Sequence, residues 1–192
     1  MLYDRPYMKA ADSRDRGWSA LTWLIVIEIA AFVLQNLIWL FGGDAVYKGI
    51  ILDFFALSGS IVLEGKLWTL LTYGFLHDTN NLLHILFNML GLFFIGRMVV
   101  RVFGERALLE AFFLSIFTGG FVYLLFHLNS GGLVLGASGA LMGLIALFCL
   151  ARPDEEVTVL LYFILPVTLK PKWILWGLTA ISLLGLLFRE LP

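Results

Sequence analysis

One uncharged run constrains what this chain can fold into more than any other feature. Residues 131–151 carry no charged side chain, and the run ends at Arg152-Pro153-Asp154. Near its start lies a stretch of small residues with one hydroxyl, Gly136-Ala137-Ser138-Gly139-Ala140. The apolar residues that follow, Ala140 to Ala151, would rise only about 18 Å as a helix, whereas the hydrocarbon core of a bilayer is about 30 Å thick.

Two structures satisfy this run. A helix that begins at Ser138 would have its N-terminus at membrane depth, so the backbone before it would need shielding by protein or by a water-filled cavity. Its first-turn N–H groups would stabilise an anion, which suits a serine nucleophile beside an oxyanion hole. Alternatively, the whole run is one spanning helix whose Gly139 and Gly143 pack closely against a neighbouring helix.

The composition of the whole chain indicates a membrane protein. Sixty per cent of the residues are apolar and 14% are charged, and the mean hydropathy is +0.93, far outside the range of soluble proteins. We therefore predict an all-α, polytopic membrane helical bundle, with one domain at residues 20–192 behind an N-terminal tail at 1–19. The predicted spans are roughly 20–41, 82–100, 107–128, 138–151 and 173–188. The first span lacks a cleavage pattern of small residues and is predicted to be a retained anchor.

The distribution of positive charge predicts the orientation of these spans. Ten of the 13 Lys and Arg residues lie in the tail and in the two loops on the same side, against Lys48, Lys66 and Arg189 on the other. The positive-inside rule therefore predicts a cytoplasmic N-terminus and puts the loop before Ser138 on the external side. We expect an integral, multi-pass protein of a bacterial inner membrane.

Two further apolar stretches are too short to cross a bilayer. Residues 50–57 fall in the longest external connection, 42–66, and residues 157–167 are interrupted by Pro166. Both stretches are expected to lie in the headgroup region.

Several polar residues fall within or close to the predicted spans. His84 and Asn88 are four residues apart and so project from one helical face, where a polar pair is costly unless it faces protein or water. They either donate hydrogen bonds to a developing oxyanion near Ser138 or hold two helices together, and the residues alone leave both possibilities open. For His77 and His127, near the interface, a solvated or locally bonded histidine is the default.

Glu28 and Gln35 are seven residues apart in the first span and so share a face. A carboxyl group within the membrane is a functional candidate by default. We favour a structural role here, with Glu28 facing the bundle near the inner side and bonded to a neighbour.

A set of short motifs occurs in a fixed order between about Trp68 and Leu187. The motifs are Trp68-xxx-Thr72-Tyr73-Gly74-Phe75-Leu76-His77, His84-Ile85-Leu86-Phe87-Asn88-Met89, Gly96, Phe103-Gly104-Glu105 and Gly136-Ala137-Ser138-Gly139-Ala140. Together they resemble the rhomboid family of intramembrane serine proteases. The combination of Gly-x-Ser-Gly with His-xxx-Asn is the specific part, and it favours the nucleophile interpretation of Ser138 over the packing one.

The resemblance implies a role for each of these residues. Ser138 would be the nucleophile, and His84, Asn88 and the backbone N–H of Ser138 would form the oxyanion hole. His77 would help to shape a water-accessible cavity, with Gly136 and Gly139 in support. The implied partners are the lipid bilayer and transmembrane protein substrates, each a helix that unwinds locally and is cleaved near the outer face. No cofactor, metal or nucleic acid is expected.

The general base is the part of the family pattern that these 192 residues do not supply. The family places it, a histidine, on a sixth span, and none of His77, His84 and His127 matches that position. A serine hydroxyl is a weak nucleophile until a neighbouring base takes its proton. We therefore expect the 192 residues by themselves to be weakly active or inactive, and we favour a longer enzyme over a five-span relative without activity.

Two rival functions stay open at this point. One is a catalytically inactive rhomboid-like protein that binds transmembrane helices. The other is a small transporter or channel with a polar line through Glu28, Gln35, His84 and Asn88, although the chain lacks the internal repeat that many transporters show.

Overall fold

Five long helices make up most of the protein. The computed structural model describes residues 18–129, 132–161 and 165–189. Its long helices are α1 Ala20–Tyr47, α2 Leu82–Phe103, α3 Glu105–His127, α4 Ser138–Ala151 and α5 Pro171–Arg189. The prediction of a polytopic helical bundle is confirmed.

Not every long helix is long enough to cross a bilayer. Within the described residues, Ala20–Phe55, Leu82–Phe103 and Glu105–His127 have the length and apolar composition of membrane spans, whereas Ser138–Ala151 and Pro171–Leu184 are shorter apolar helices. Helix α1 runs past the predicted end at residue 41, but its geometry breaks at Gly43, where φ is 73° and ψ is 178°. The apolar span of α1 therefore ends close to the predicted position.

The N-terminal end of α1 is fastened to the junction between α2 and α3. The Ser19 hydroxyl caps α1 by accepting from the Thr22 N–H at 3.2 Å. The Glu105 carboxylate accepts a hydrogen bond from the Ala20 N–H at 3.1 Å. Glu105 opens α3 immediately after Gly104, whose φ of 88° lets the chain end α2 and begin α3 with no intervening loop. A carboxylate at this position suits the positive N-terminal ends of α1 and α3.

The connection between α1 and α2 contains a series of short helical turns. In chain order they are a π-helix at Lys48–Leu52, α-helical turns at Asp53–Phe55, Gly59–Leu63 and Thr69–Thr72, and a 3₁₀ turn at Tyr73–Phe75. Residues 50–57 were predicted to lie in the headgroup region. The exposed side chains of Ile50 and Phe54 are consistent with that prediction. It does not fit the end of the stretch, because Ala56 and Leu57 are fully buried in the protein.

A small β-hairpin follows α4 and was not predicted. Strands β1 Val157–Leu161 and β2 Leu165–Leu169 pair antiparallel, with Val157 opposite Leu169. The hydroxyls of Thr158 and Thr168, which face each other across the pair, lie 3.0 Å apart. Valine and threonine favour extended backbone, a signal that an assignment based on length and hydropathy does not use.

The protein core lies where α2, α3 and α4 meet. Leu92, Phe112, Ile116 and Leu144 are fully buried there. Glycines allow the close approach of the helices: a Cβ atom on Gly91 would lie 2.9 Å from Leu141 of α4. The outward side chains of α3 are large and apolar, for example Leu114, Leu125 and Phe126, as expected where a helix faces lipid.

Candidate active site

Ser138 is the first residue of α4, and its side chain is exposed rather than buried in the bundle. The structure therefore matches the first of the two interpretations of the uncharged run, in which a short helix begins at the serine. The N–H groups of its first turn have no partners within the helix, which makes this end favourable for negative charge.

Protein shields the non-helical backbone that leads to the serine. Leu57 and Val134 form an antiparallel bridge, with the Leu57 N–H donating to Val134 at 3.1 Å and the Val134 N–H donating to Leu57 at 2.8 Å. The Gly136 N–H donates to the Tyr73 carbonyl at 2.9 Å. Three backbone hydrogen bonds thus satisfy a segment that could not otherwise lie at membrane depth.

Gly136 brings His84 next to Ser138. Its φ is 119°, a conformation that side chains disfavour. A Cβ atom at this position would lie 2.8 Å from His84 Nε2 and 3.9 Å from Ser138 Oγ. The imidazole and the hydroxyl therefore border the same small volume, and glycine leaves that volume open.

The hydrogen-bond partner of His84 fixes which ring nitrogen carries its hydrogen. The Asp78 N–H donates to His84 Nδ1 at 3.3 Å. A neutral imidazole that accepts at Nδ1 carries its hydrogen on Nε2. The atom that lies next to Gly136 is therefore a hydrogen-bond donor, as an oxyanion hole requires.

Asn88 lies on the same face of α2, one turn after His84. It is almost fully buried, and its amide group donates to the His84 carbonyl at 2.8 Å. The amide has two N–H donors, so one can still serve a ligand. His84, Asn88 and Ser138 all line a single open cavity of about 530 Å³, whose apolar wall includes Phe87 and Leu141.

His77 does not line this cavity. It is fully buried behind His84, with the two ring centroids 5.1 Å apart. The expected role of His77 in shaping the cavity would therefore have to be exerted through His84. His127 lies at the end of α3, where its ring stacks on Tyr123 at 4.4 Å.

The glycines after the serine also pack closely, as the alternative interpretation supposed. A Cβ atom on Gly139 would lie 3.5 Å from the Tyr73 hydroxyl, and one on Gly143 would overlap the side chain of Ser115 in α3. The same short helix thus presents a serine at its end and a close-packed glycine face along its side. The close packing of the alternative interpretation is thus observed, but its single spanning helix is not, because α4 begins at Ser138.

The polar face of α1 is turned toward the site, which sequence reasoning did not predict. Gln35 is buried and brackets His77: its side-chain amide donates to the His77 carbonyl at 3.0 Å and accepts from the His77 N–H at 3.1 Å. Glu28 is fully buried, with Oε2 3.8 Å from His77 Nδ1. Glu28 does face the bundle as predicted, but the predicted bond to a neighbour is not found among the described residues, because His77 is too far away for a hydrogen bond.

Tyr73 is a second residue whose importance the residues alone did not reveal. Its carbonyl receives the Gly136 N–H, and its buried hydroxyl donates to the Ile116 carbonyl at 2.8 Å. It therefore links α3 to the loop before the serine. The only signal for it in the sequence was its place in the Thr-Tyr-Gly-Phe motif.

The fold and site together define a class: a multi-pass integral membrane protein with a serine at the start of a short helix inside the bundle. The model of the rhomboid domain family matches residues 64–187. The chain belongs to the rhomboid family.

Individual relatives match over part of their length. The chain is 33% identical over 126 residues to rhomboid protease GlpG of Klebsiella pneumoniae. The aligned region covers 64% of this chain and 41% of the relative. It is 32% identical over 120 residues to the mitochondrial RHOMBOID-like protein 12 of Arabidopsis thaliana, covering 54% of this chain and 34% of that protein. The chloroplastic Rhomboid-like protein 16 of the same plant is 29% identical over 120 residues, covering 58% of this chain and 35% of the relative. The matched region is thus between about a third and two fifths of each relative.

Proposed function

We propose that this protein is an intramembrane serine endopeptidase that hydrolyses the transmembrane helices of other membrane proteins near the outer face. The observation that carries the proposal is the convergence of Ser138, His84 and Asn88 on one open cavity. The similarity to a relative named a rhomboid protease supports the reaction class.

Each group has a part in the proposed reaction. The Ser138 hydroxyl attacks the carbonyl carbon of the scissile peptide bond, and the carbonyl oxygen becomes an oxyanion. The Nε2–H of His84, an amide N–H of Asn88 and the backbone N–H of Ser138 donate to that oxyanion. Removing one such donor from a serine protease lowers kcat by about 10²–10³. A locally unwound substrate helix is needed, because only exposed backbone can present its carbonyl to these donors.

In this proposal, a further histidine accepts the proton of the Ser138 hydroxyl. The hydrogen bonds of the described residues include none between Ser138 Oγ and the ring of His77 or His84. His84 accepts at Nδ1 and presents its hydrogen to the cavity, so it is a donor rather than a base. We therefore propose, as the family resemblance implies, that a histidine outside the 192 residues acts as the base, and that these residues alone hydrolyse peptides weakly.

Substrate cleavage by paired serine variants tests the proposal. The chain as its gene encodes it, with any residues that follow Pro192, is reconstituted in liposomes with a model single-span substrate. Ser138→Ala is expected to lower cleavage by at least about 10³-fold. Ser60→Ala is the matched control, because Ser60 is an exposed serine in the external connection, and it is expected to cleave normally. Equal cleavage by the Ser138→Ala variant and the unaltered protein would rule out Ser138 as nucleophile.

The alternative function is helix binding without cleavage. It is favoured by one observation, the open cavity beside Ser138 with an apolar wall that includes Phe87 and Leu141. In this case a photocrosslinking residue introduced in place of Leu141, in the cavity wall, should capture the substrate helix, and no cleavage product should form. Crosslinking combined with product formation that requires Ser138 would exclude this alternative.

A further inference from the structure

A buried pair of titratable side chains lies behind His84 and has no part in the proposed reaction. Glu28 of α1 and His77, in the segment before α2, are both fully buried. Among the described residues, both carboxylate oxygens of Glu28 and both ring nitrogens of His77 lack a hydrogen-bond partner. Buried polar atoms are rarely left unpaired because each one costs free energy. Four such atoms at one place indicate that these groups serve each other.

The pair is held in a fixed position relative to the site. Gln35 brackets the backbone of His77 with two hydrogen bonds and also donates to the Tyr47 hydroxyl at 3.2 Å. The His77 ring lies between Glu28 on one side, 3.8 Å away, and the His84 ring on the other, with centroids 5.1 Å apart. A charge on this pair would therefore act directly on the imidazole that faces Ser138.

The surroundings favour a pair without net charge. Burial, with a smaller contribution from the neighbouring His84, lowers the pKa of His77 to about 4, so its ring is neutral at pH 7. A carboxylate at Glu28 would then have no cation to balance it, and an unpaired buried charge costs several kcal/mol. Among the described residues, the contacts named here bring Asp78 and His84 close to the pair, and Tyr47 through Gln35, and none of these is a fixed cation.

We propose that Glu28 is a positioning residue of this site, a protonated acid that shares its hydrogen with the His77 ring and so holds the His84 ring with its Nε2–H directed toward Ser138. A small rotation of the carboxyl group brings the 3.8 Å separation to hydrogen-bond distance, about 2.7–3.0 Å. The role of Glu28 in catalysis rests on the proposed function. Its protonation state and its effect on His84 do not.

Infrared spectroscopy of the protein in bilayers tests the protonation of Glu28. At pH 7 we expect the C=O stretching band of a protonated carboxylic acid, which disappears in Glu28→Gln and shifts in frequency in His77→Asn. Glu156→Gln is the control, because Glu156 is exposed in the loop after α4, and it should leave the band unchanged. If the band is absent, or if it survives in Glu28→Gln, the proposal is wrong.

Nitrogen NMR of labelled histidine tests the positioning role. We expect the Nε2–H tautomer of His84 in the unaltered protein and in Glu28→Gln, which keeps a neutral hydrogen-bond donor. Glu28→Leu keeps the volume but removes the donor, so the His84 signals should broaden or report mixed tautomers. Unchanged signals in Glu28→Leu would overturn the positioning role.

Rescue by glutamine supplies a readout that packing alone would not alter. Glutamine and leucine at position 28 both fill the volume of the glutamate side chain, but only glutamine keeps a neutral hydrogen-bond donor. Mixed tautomers of His84 in both Glu28→Gln and Glu28→Leu would therefore overturn the proposal. Neither spectroscopic result depends on peptide cleavage, so a failed cleavage test at Ser138 would leave this test standing.

Discussion

At the scale of single residues, the site depends on one position without a side chain. Gly136 combines a φ of 119° with a position so close to His84 that an added Cβ atom would lie 2.8 Å from Nε2. Either property would favour glycine, and together they make any other residue disruptive in two separable ways. Backbone strain lowers stability wherever it occurs, whereas a Cβ atom at this position also displaces the imidazole.

The substitutions Gly136→Ala and Gly65→Ala separate these two effects. Gly65 has a φ of 90° but has no atom within 4 Å of an added Cβ. Both variants should lose about 1–2 kcal/mol of stability from backbone strain. Only Gly136→Ala should shift the His84 nitrogen resonances, because its Cβ would lie 2.8 Å from Nε2. An identical shift in both variants would show that the contact with His84 has no role.

His77 predicts how stability depends on pH. Its folded-state pKa of about 4 lies below the ordinary value of 6.5, because burial disfavours the charged ring. Between these values the unfolded His77 binds a proton that the folded His77 does not, so its contribution to stability falls as the pH falls from about 6.5 to 4. The full contribution is about 3 kcal/mol. The protonated Glu28 proposed above acts in the opposite direction, because the folded protein holds a proton there that the unfolded carboxylate has released, so the two contributions largely cancel in the unaltered protein. The Tm of His77→Asn, which keeps Glu28 and lacks the histidine, should therefore rise relative to that of the unaltered protein as the pH falls across this window. A constant difference in Tm between the two proteins would contradict this assignment.

The sequence predicted the site residues on α2 better than those around them. Residues at positions i and i+4 of a helix share a face. The common direction of His84 and Asn88 could therefore be predicted before the fold was known. The contact of Asp78 with His84 Nδ1 could not, because it depends on how the chain turns before α2. Glu28 was interpreted as structural because nothing in one sequence shows that α1 packs against His77.

At the scale of whole elements, α4 illustrates how a short helix can end inside a membrane protein. Its N-terminus is supported by the Leu57–Val134 bridge and by Tyr73, and its side packs against α3 through Gly143. Hydropathy and length predicted this helix, as they did the other long helices. They did not predict the hairpin β1–β2, whose strands are too short for composition alone to distinguish from a loop.

The contact between α4 and α3 predicts a sharp difference between two glycines. A Cβ atom on Gly143 would overlap the Ser115 side chain, whereas one on Gly177 of α5 meets no atom within 4 Å. Gly143→Ala should lower stability by about 1–3 kcal/mol through overpacking. Gly177→Ala should be neutral or up to about 1 kcal/mol stabilising, because alanine favours helices. Thermal unfolding in detergent measures both, and a Tm for Gly143→Ala at or above the unaltered value would refute the close packing.

At the scale of the whole molecule, function depends on which side of the membrane the serine loop faces. The positive-inside rule proposes an inner N-terminus and an inner hairpin, with the Gly59–Leu63 turn and the loop before Ser138 outside. Substrate cleavage near the outer face follows only if this orientation is correct. The orientation is tested by labelling the protein in its membrane.

Cysteine labelling measures the orientation with little background, because the single native cysteine, Cys149, is buried. Ser60→Cys and Glu155→Cys introduce thiols at exposed positions on opposite sides of the proposed bilayer. A membrane-impermeant maleimide should label Ser60→Cys in intact cells whose outer envelope has been removed, and should label Glu155→Cys only after lysis. The reverse pattern would turn the cavity that contains Ser138 toward the cytoplasm. Cleavage would then have to occur near the inner face, and substrates would have to present their scissile bonds there.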